Sequence, residues 1–183
     1  PFAIHDVNAD GLADIVYGQG HGYGLSWLEQ GKGDGGKRTW TRHAIEEGGS
    51  GPGSPLPRDG MVLSQVHCIV FADLDADGKP ELITGKRLRG HGDGDDGWKE
   101  PIGIYYYTWD AAAKRFSRHV ISESPGIAGA FGAKSANEEL QLRGAVGTGM
   151  QINVADLNGD GRADIAVAGK SGTYILANQP DAR

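Results

Sequence analysis

Residues 6–14 read Asp6-Val-Asn8-Ala-Asp10-Gly11-Leu12-Ala-Asp14, and this nine-residue acidic pattern occurs three times in the chain. The second copy is Asp73-Leu-Asp75-Ala-Asp77-Gly78-Lys79-Pro-Glu81, and the third is Asp156-Leu-Asn158-Gly-Asp160-Gly161-Arg162-Ala-Asp164. Each copy places oxygen-bearing side chains at positions one, three, five and nine, with glycine at position six. We call these segments the first, second and third acidic loops.

An acidic loop of this form can wrap a hard cation. Alternate side chains point inward and the glycine makes the sharp turn, while the backbone carbonyl at position seven (Leu12, Lys79 or Arg162) adds another oxygen. About six to eight oxygen ligands suit Ca²⁺ better than Mg²⁺, which keeps a small octahedral shell with several waters. The sequence therefore predicts about three calcium sites.

Two other structures share part of this loop pattern. An EF-hand shares the first six positions but needs a bidentate acid at position twelve, where this chain has Tyr17, Thr84 and Val167. Its flanks would also be helical, whereas the flanks here resemble strands. An acidic turn without metal explains any single copy, but three copies in matching contexts favour calcium.

Composition limits the other classes of function. The 31 glycines among 183 residues indicate many turns and short strands. The net charge is −6, and ten of the 24 acidic residues lie in the three acidic loops, so three calcium ions would offset it. No basic stripe with interleaved aromatic residues is present, which argues against nucleic acid as a partner. No apolar run is long enough for membrane insertion.

Cysteine content and calcium chemistry bear on location. The single cysteine, Cys68, excludes an internal disulfide and lies in an apolar run. The chain begins at Pro1, so a signal peptide is neither indicated nor excluded. Weak extracellular-type calcium sites fill only at about 10⁻⁴–10⁻³ M calcium. We therefore expect a secreted, periplasmic or cell-surface location.

The repetition extends beyond the acidic loops. A short apolar strand precedes each loop, a second follows it, a third begins after a glycine, and a fourth is nearly identical in the first two units. The third unit ends before a fourth strand. The predicted organisation is a blade at 1–45, a loop at 46–65, a blade at 66–121, a loop at 122–148 and an incomplete blade at 149–183.

Four short antiparallel strands per repeat describe the blade of a β-propeller. The predicted fold is all-β, with about three repeats that belong to a larger propeller of six to eight blades. The remaining blades of the parent chain are then the first expected partner. The alternative is a compact three-repeat β-domain with less regular packing.

The acidic loops between first and second strands resemble the calcium repeats of the FG-GAP/VCBS family, which form integrin-α-like propellers. The resemblance covers nearly the whole chain. It implies calcium ligands at twelve side chains, which are Asp6, Asn8, Asp10, Asp14, Asp73, Asp75, Asp77, Glu81, Asp156, Asn158, Asp160 and Asp164. Glu81 replaces the usual Asp and Pro80 stiffens its loop, so we expect the second site to have an altered affinity.

Strand alternation sorts the connections onto two faces. The acidic loops all join first to second strands and define one face, which we call the acidic face. The long connections lie on the other, the opposite face, where loop elaboration favours ligand binding. The candidate ligand-binding residues on the opposite face are His21, His67, Lys86, Arg87, His91, Trp98 and Lys170.

These side chains suggest specific chemistry. Imidazoles can bind a transition metal such as Zn²⁺ or move protons, cations can hold an anionic or polyhydroxylated ligand, and Trp98 can stack on a sugar. For His21, His67 and His91, a shared site and unrelated surface histidines are equally compatible with the sequence. We expect His43 and His119, which occupy equivalent places in repeated fourth strands, to be structural.

A second resemblance concerns the same residues. His21 after a glycine-rich turn, His67 before an acidic loop, and Gly85-Lys86-Arg87 with His91 are similar to the propeller of aldos-2-ulose dehydratase and anhydrofructose dehydratase-like proteins. That family eliminates water from keto-sugars at metal-bearing sites. The resemblance implies His21 and His67 as bases or metal ligands and Lys86 or Arg87 as the electrophile.

Three functions follow from these observations. The first is a calcium-stabilised propeller whose opposite face binds a carbohydrate or a protein ligand without turnover. The second is a metal-assisted keto-sugar dehydratase or lyase that uses His21, His67, Lys86 and Arg87 as catalytic residues. The third is a structural or adhesion segment of a surface protein. Fold alone does not choose among them, and we rank ligand binding first.

Overall fold

The protein forms three antiparallel β-sheets. The computed structural model describes residues 1–47, 63–88, 95–98, 100, 102–124, 146–170 and 172–179. The first sheet has the order β1-β2-β3-β4, with strands β1 (Phe2–His5), β2 (Asp14–Gly18), β3 (Leu25–Lys32) and β4 (Arg38–Glu46). The second has the order β5-β6-β7-β8, with strands β5 (Val66–Ala72), β6 (Glu81–Lys86), β7 (Gly103–Asp110) and β8 (Arg115–Glu123).

The third sheet contains three strands in the described residues. Its order is β9-β10-β11, with strands β9 (Ile152–Ala155), β10 (Asp164–Gly169) and β11 (Gly172–Leu176). Apart from one turn of 3-10 helix at Asp34–Gly36, the described chain has no helix. None of the described segments could therefore cross a bilayer as a helix. The predicted all-β fold with propeller blades is confirmed.

Neighbouring sheets meet through their first strands. Strand β1 contacts β5, and β5 contacts β9, so the first strand of each repeat faces the next repeat. The order within each sheet then places the later strands progressively farther from this line of contact. This is the radial arrangement of propeller blades.

The second sheet is buried on both of its faces. Because side chains alternate along a strand, Leu82 packs in a core with the first sheet, where Val16 and Trp27 lie. Its neighbour Ile83 packs in a separate core with Ile165 of the third sheet. All six residues of β6 are buried, which is why that strand lacks the alternating polarity of a half-exposed strand.

The first and third sheets each keep one exposed face. His5 stacks on Phe71 of the second sheet at 4.3 Å between ring centroids, so alternation turns Phe2 and Ile4 outward. These two side chains are 68% and 65% exposed, and Ile175 on β11 is 66% exposed. The larger propeller of six to eight blades stays a prediction, and Phe2, Ile4 and Ile175 are side chains that further blades would cover.

Backbone hydrogen bonds join the sheets at the opposite face. The Thr148 N–H donates to the Lys86 carbonyl at 3.3 Å, and the Gln65 N–H donates to the Gly22 carbonyl at 3.1 Å. Most of the predicted loops at 46–65 and 122–148 lies outside the described residues. The described ends of these segments are thus fixed against the neighbouring repeat.

Candidate functional site

The three acidic loops share one hydrogen-bond pattern. In the first loop, the Asp6 carboxylate accepts from the N–H groups of Asp10 (3.1 Å) and Gly11 (2.8 Å). Asn8 Oδ1 accepts from the Asp10 N–H at 3.1 Å, and Asp10 Oδ1 accepts from the Leu12 N–H at 2.8 Å. The same four bonds recur in the other two loops at 2.7–3.2 Å. The backbone therefore orients the oxygens at positions one, three and five.

Position nine has a different role. Asp14 is fully buried, and its carboxylate accepts from the Val7 N–H (3.0 Å) and from the Gln30 N–H (2.8 Å) on β3. Asp164, which is 1% exposed, makes the equivalent two bonds in the third loop at 3.0 and 2.8 Å. In the first and third loops, this carboxylate thus fastens the loop to its sheet.

The loops also share a backbone conformation that requires positive φ at two positions. Position six is always glycine, with φ between 82° and 85°. Position four is Ala9 (φ 58°), Ala76 (φ 62°) or Gly159 (φ 80°). Two alanines therefore adopt the left-handed region, which disfavours side chains with a Cβ atom.

The second loop brings three carboxylates together. Asp73, Asp75 and Glu81 each offer an atom within 4.8 Å of the others, and no other trio of His, Cys, Asp or Glu does so among the described residues. Asn8 and Asn158 replace Asp75 in the other loops and offer an amide oxygen instead. Clustered carboxylate and amide oxygens fit Ca²⁺, which would offset the excess negative charge of these loops.

Glu81 differs from its counterparts at position nine. One of its oxygens accepts from the Leu74 N–H at 2.7 Å, as the loop pattern requires. Burial raises its pKa, and the nearby carboxylates of Asp75 and Asp73 raise it further. The altered affinity of the second site stays a prediction.

Side chains outside the loops support them. The Asn8 amide donates to Glu29 Oε1 at 2.9 Å, and His43 Nε2 lies 2.7 Å from Glu29 Oε2. In the third repeat, the Asn178 amide donates to the Leu74 carbonyl of the second loop at 2.7 Å. The second and third loops are therefore physically linked.

The histidines of the fourth strands are packed against aromatic rings. His43 stacks on Trp27 with 4.6 Å between ring centroids, and His119 stacks on Tyr106 with 4.5 Å. The two histidines thus have equivalent packing, which agrees with the structural role expected from their equivalent positions in the repeats.

On the opposite face, His21, His67 and Asp95 lie together. His21 Nδ1 is 3.3 Å from both carboxylate oxygens of Asp95. The His21 and His67 rings meet edge to face with 5.3 Å between centroids. A carboxylate that holds one imidazole nitrogen orients the other nitrogen, which can then accept a proton or a ligand.

His67 has one defined tautomer. Its Nδ1 lies 3.0 Å from the Gln65 carbonyl, which accepts only, so Nδ1 carries the proton and Nε2 keeps its lone pair. Burial lowers the pKa of His67, and the charges of Arg87 and His21 lower it further. His67 is therefore a neutral acceptor at neutral pH.

Lys86 is buried, in contrast to its predicted place in a ligand site. Its side chain is 1% exposed, and Nζ donates to the Glu100 carbonyl at 3.2 Å. Burial lowers its pKa to about 8, against the opposing effect of the Glu100 carboxylate. The ammonium is thus held inside the protein, and its predicted roles as ligand-binding residue and electrophile stay predictions.

Glu100 connects Lys86 to the first sheet. Its Oε1 accepts from the Tyr23 hydroxyl at 2.9 Å, and burial raises the pKa of Tyr23 to about 12. Burial also raises the pKa of Glu100, although the hydroxyls of Tyr23 and Ser64 lower it in part. Ser64 Oγ approaches the carboxylate without reaching hydrogen-bond geometry.

Arg87 lies at the junction between the second and third sheets. It pairs with Thr148 in an isolated β-bridge, and its side chain is 9% exposed. Nη1 lies 4.0 Å from the Met150 sulfur, while Nε and Nη2 have no hydrogen-bond partner.

Buried polar atoms without partners concentrate on this face. Of eight such side-chain atoms in the described residues, the two outside it are indole nitrogens, of Trp27 and Trp109. The six on the opposite face are Ser64 Oγ, Gln65 Oε1, Arg87 Nε, Arg87 Nη2, Glu100 Oε2 and Thr148 Oγ1. In the described part of the acidic loops, every buried polar side-chain atom has a partner.

The remaining candidates are distributed around this site. Trp98 is half-buried in a turn, and Lys170 at the end of β10 is exposed and lines a cavity with Arg87. His91 lies outside the described residues. His21, His67 and Arg87 are thus the predicted residues that the structure brings close to one another.

Comparison with protein families agrees with the loop geometry. The model of the FG-GAP-like repeat matches residues 6–84, which contain the first and second acidic loops. The model of the FG-GAP repeat matches residues 148–178, which contain the third. The chain is an FG-GAP repeat protein. The search of curated proteins found no match.

The FG-GAP family accounts for the fold of this chain and does not specify a ligand or a reaction. The similarity to sugar dehydratases stays a prediction, because neither matched family concerns that activity. Calcium at the acidic loops, a transition metal on the opposite face and the identity of the ligand likewise stay predictions.

Sequence reasoning missed several residues of the opposite face of this FG-GAP protein. Asp95, Ser64 and Thr148 carry no motif, and they reach the opposite-face site only in the folded chain. One signal was available for Asp95, which lies in the acidic run 91–97. Gln65 shows its constraint only in the structure, where it is fully buried with φ of 55°.

Proposed function

We propose that this FG-GAP protein is a calcium-stabilised propeller module that binds a carbohydrate on its opposite face, beside His67 and Arg87. The observation that carries the proposal is that six buried polar atoms on that face have no hydrogen-bond partner within the protein. Each unpaired buried group costs about 1–3 kcal/mol, so a fold retains several of them where something else pairs with them.

The chemistry of the unpaired atoms favours a polyhydroxylated ligand. Arg87 offers donors, whereas Gln65 Oε1 and Glu100 Oε2 offer acceptors. A sugar hydroxyl is both donor and acceptor, so one kind of ligand group satisfies both kinds of protein atom. A protein ligand could present the same groups, and its binding would be the alternative result of the test below.

Calcium supports the scaffold in this proposal. Bound only to the folded chain at about tenfold its dissociation constant, it would add about 1.4 kcal/mol per site. Three sites would then raise the melting temperature by about 10 °C in a chain of this size. Weak sites of this type also underlie the proposed secreted, periplasmic or cell-surface location.

The test combines metal content with glycan binding. Elemental mass spectrometry on protein purified in millimolar calcium should find about three calcium ions per chain. A glycan array should then give binding that is lost in His67→Ala and retained in His119→Ala, whose parent residue stacks on Tyr106 at an outer strand. Absence of calcium would refute the scaffold, and absence of glycan binding by loaded protein would refute the carbohydrate ligand.

A keto-sugar lyase is a second candidate because His21, Asp95 and His67 lie together. His21 oriented by Asp95 would remove the proton next to the sugar carbonyl, and Arg87 would stabilise the enolate oxygen. The His21 imidazolium would then return that proton to the β-hydroxyl, which would leave as water when the enolate collapses. Ultraviolet absorbance of the unsaturated product reports turnover. Absorbance that is abolished in His21→Gln would establish the lyase, and none in the wild-type protein would leave binding alone.

A further inference from the structure

The cavity next to Arg87 has an unusual charge for this acidic chain. It has a volume of about 560 Å³ at the opposite-face end of the third sheet. Two cations, Arg87 and Lys170, line it, and none of its described lining residues is acidic. The net charge of the whole chain is −6, so the charge of the cavity lining is opposite in sign to that of the whole chain.

The unpaired atoms of Arg87 have a specific geometry. Nε and Nη2 form one edge of the planar guanidinium, and their N–H bonds point in parallel. Arg87 is 9% exposed, and both of these nitrogens lack a partner, while Nη1 faces the Met150 sulfur. A parallel pair of donors matches the two oxygens of a carboxylate, and this bidentate pairing is stronger than contact with a neutral group.

The rest of the cavity suits a sugar ring. Gln151, Asn153 and Thr173 contribute amide and hydroxyl groups beside the two cations. The volume lies within the range of about 300–1,000 Å³ that small-molecule sites occupy. Neutral hydrogen-bonding groups next to a guanidinium edge are the partners that a sugar acid needs.

From this arrangement we infer that the ligand of the opposite face carries a carboxylate, as a uronic acid does, and that Arg87 binds it in bidentate fashion. The inference rests on the proposed function and names the class of carbohydrate. The other cavities do not support it equally. The groove at the acidic loops contains Asp75 and Glu81, and the groove between β4 and β8 contains Glu46 and Glu47.

Two probes that differ only at carbon 6 test the inference. Methyl glucuronide has a carboxylate where methyl glucoside has a hydroxymethyl group, and NMR titration of the calcium-loaded full chain would give both dissociation constants. We expect the glucuronide to bind at least about tenfold more tightly, since a charged bidentate pair contributes more than a neutral hydrogen bond. Glucose 6-sulfate serves as a third probe to distinguish a carboxylate site from a general anion site.

Variants locate the effect. Arg87→Gln should remove the preference for the glucuronide over the glucoside, and Arg87→Lys should lose most of that preference because an ammonium lacks the parallel donors. Arg115→Gln, at an exposed position of β8 on the acidic face, is the matched control and should change nothing. If Arg87→Gln does not fold, Arg87→Lys still carries the test.

The outcomes separate this inference from the proposed function. If both sugars bind equally and Arg87→Gln has no effect, the inference of a carboxylate ligand is wrong. The proposed carbohydrate binding would still stand. If neither sugar binds, titration with acetate tests whether Arg87 binds a carboxylate at all. A shift of the Arg87 Nε–H resonance by acetate would support a carboxylate site without a sugar, and no shift would overturn the inference. Tighter binding of the sulfate than of the glucuronide would also overturn it.

Discussion

The two faces of this molecule treat their polar groups in opposite ways. On the acidic face, carboxylates are paired with the backbone of their own loop, and Asp14 and Asp164 are buried with two donors each. On the opposite face, Arg87 and Gln65 are buried with side-chain donors or an acceptor that have no partner. The first arrangement stabilises a scaffold, and the second sacrifices stability at the place where we propose ligand binding.

Removing the carboxylate at position nine should have the largest effect. Asp14→Ala leaves the Val7 and Gln30 N–H groups without an acceptor, at about 1–3 kcal/mol each, so we expect a loss of about 3 kcal/mol. The loss should persist in a chelator, because these bonds do not need the metal. Asp10→Ala, at an exposed position of the same loop, should cost much less in chelator.

Urea unfolding with and without calcium measures both variants. Equal losses for Asp14→Ala and Asp10→Ala in chelator would contradict the idea that the acidic face is stabilised by its own hydrogen bonds.

Replacing the buried Lys86 ammonium should stabilise the protein. The pKa of Lys86 falls from 10.5 to about 8, which corresponds to about 3 kcal/mol against the charged form. Lys86→Met removes that charge at the expense of one hydrogen bond of about 1 kcal/mol, so we expect a net gain of about 2 kcal/mol at pH 7.

The pH dependence gives a second measure of Lys86. The unfolded chain keeps this proton up to about pH 10.5, whereas the folded chain releases it above about pH 8. Wild-type stability should therefore gain from Lys86 between these pH values, and Lys86→Met should lack that gain. If Lys86→Met were less stable than the wild type at pH 7, Lys86 would stabilise the fold. The contrast between a stabilising acidic face and a destabilising opposite face would then be wrong for this residue.

The smallest effects belong to position four of the acidic loops. Gly159 has φ of 80° and open space where a Cβ would lie, so Gly159→Ala should cost about 1 kcal/mol through the backbone alone. Ala76→Gly, at the same position with φ of 62°, should be neutral or stabilising by up to about 1 kcal/mol. Thermal unfolding in calcium would compare them, and effects of the same sign in both variants would show that the two loops are not equivalent.

Sequence patterns were most informative where interactions are local. The hydrogen bonds within each acidic loop join residues two to seven positions apart, so a nine-residue motif contains nearly all of the partners. The positive φ at Ala9 and Ala76 was missed because alanine gives no signal for that conformation.

By itself, the sequence determined the acidic loops, the strands around them and the division into repeats, since hairpins form between neighbours in the chain. Only the tertiary structure decided what meets on the opposite face. His21 and Asp95 are 74 residues apart, Tyr23 and Glu100 are 77 apart, and the burial of Lys86 depends on how the sheets pack. Contacts of that separation arise from packing between repeats, and no local pattern of residues encodes them.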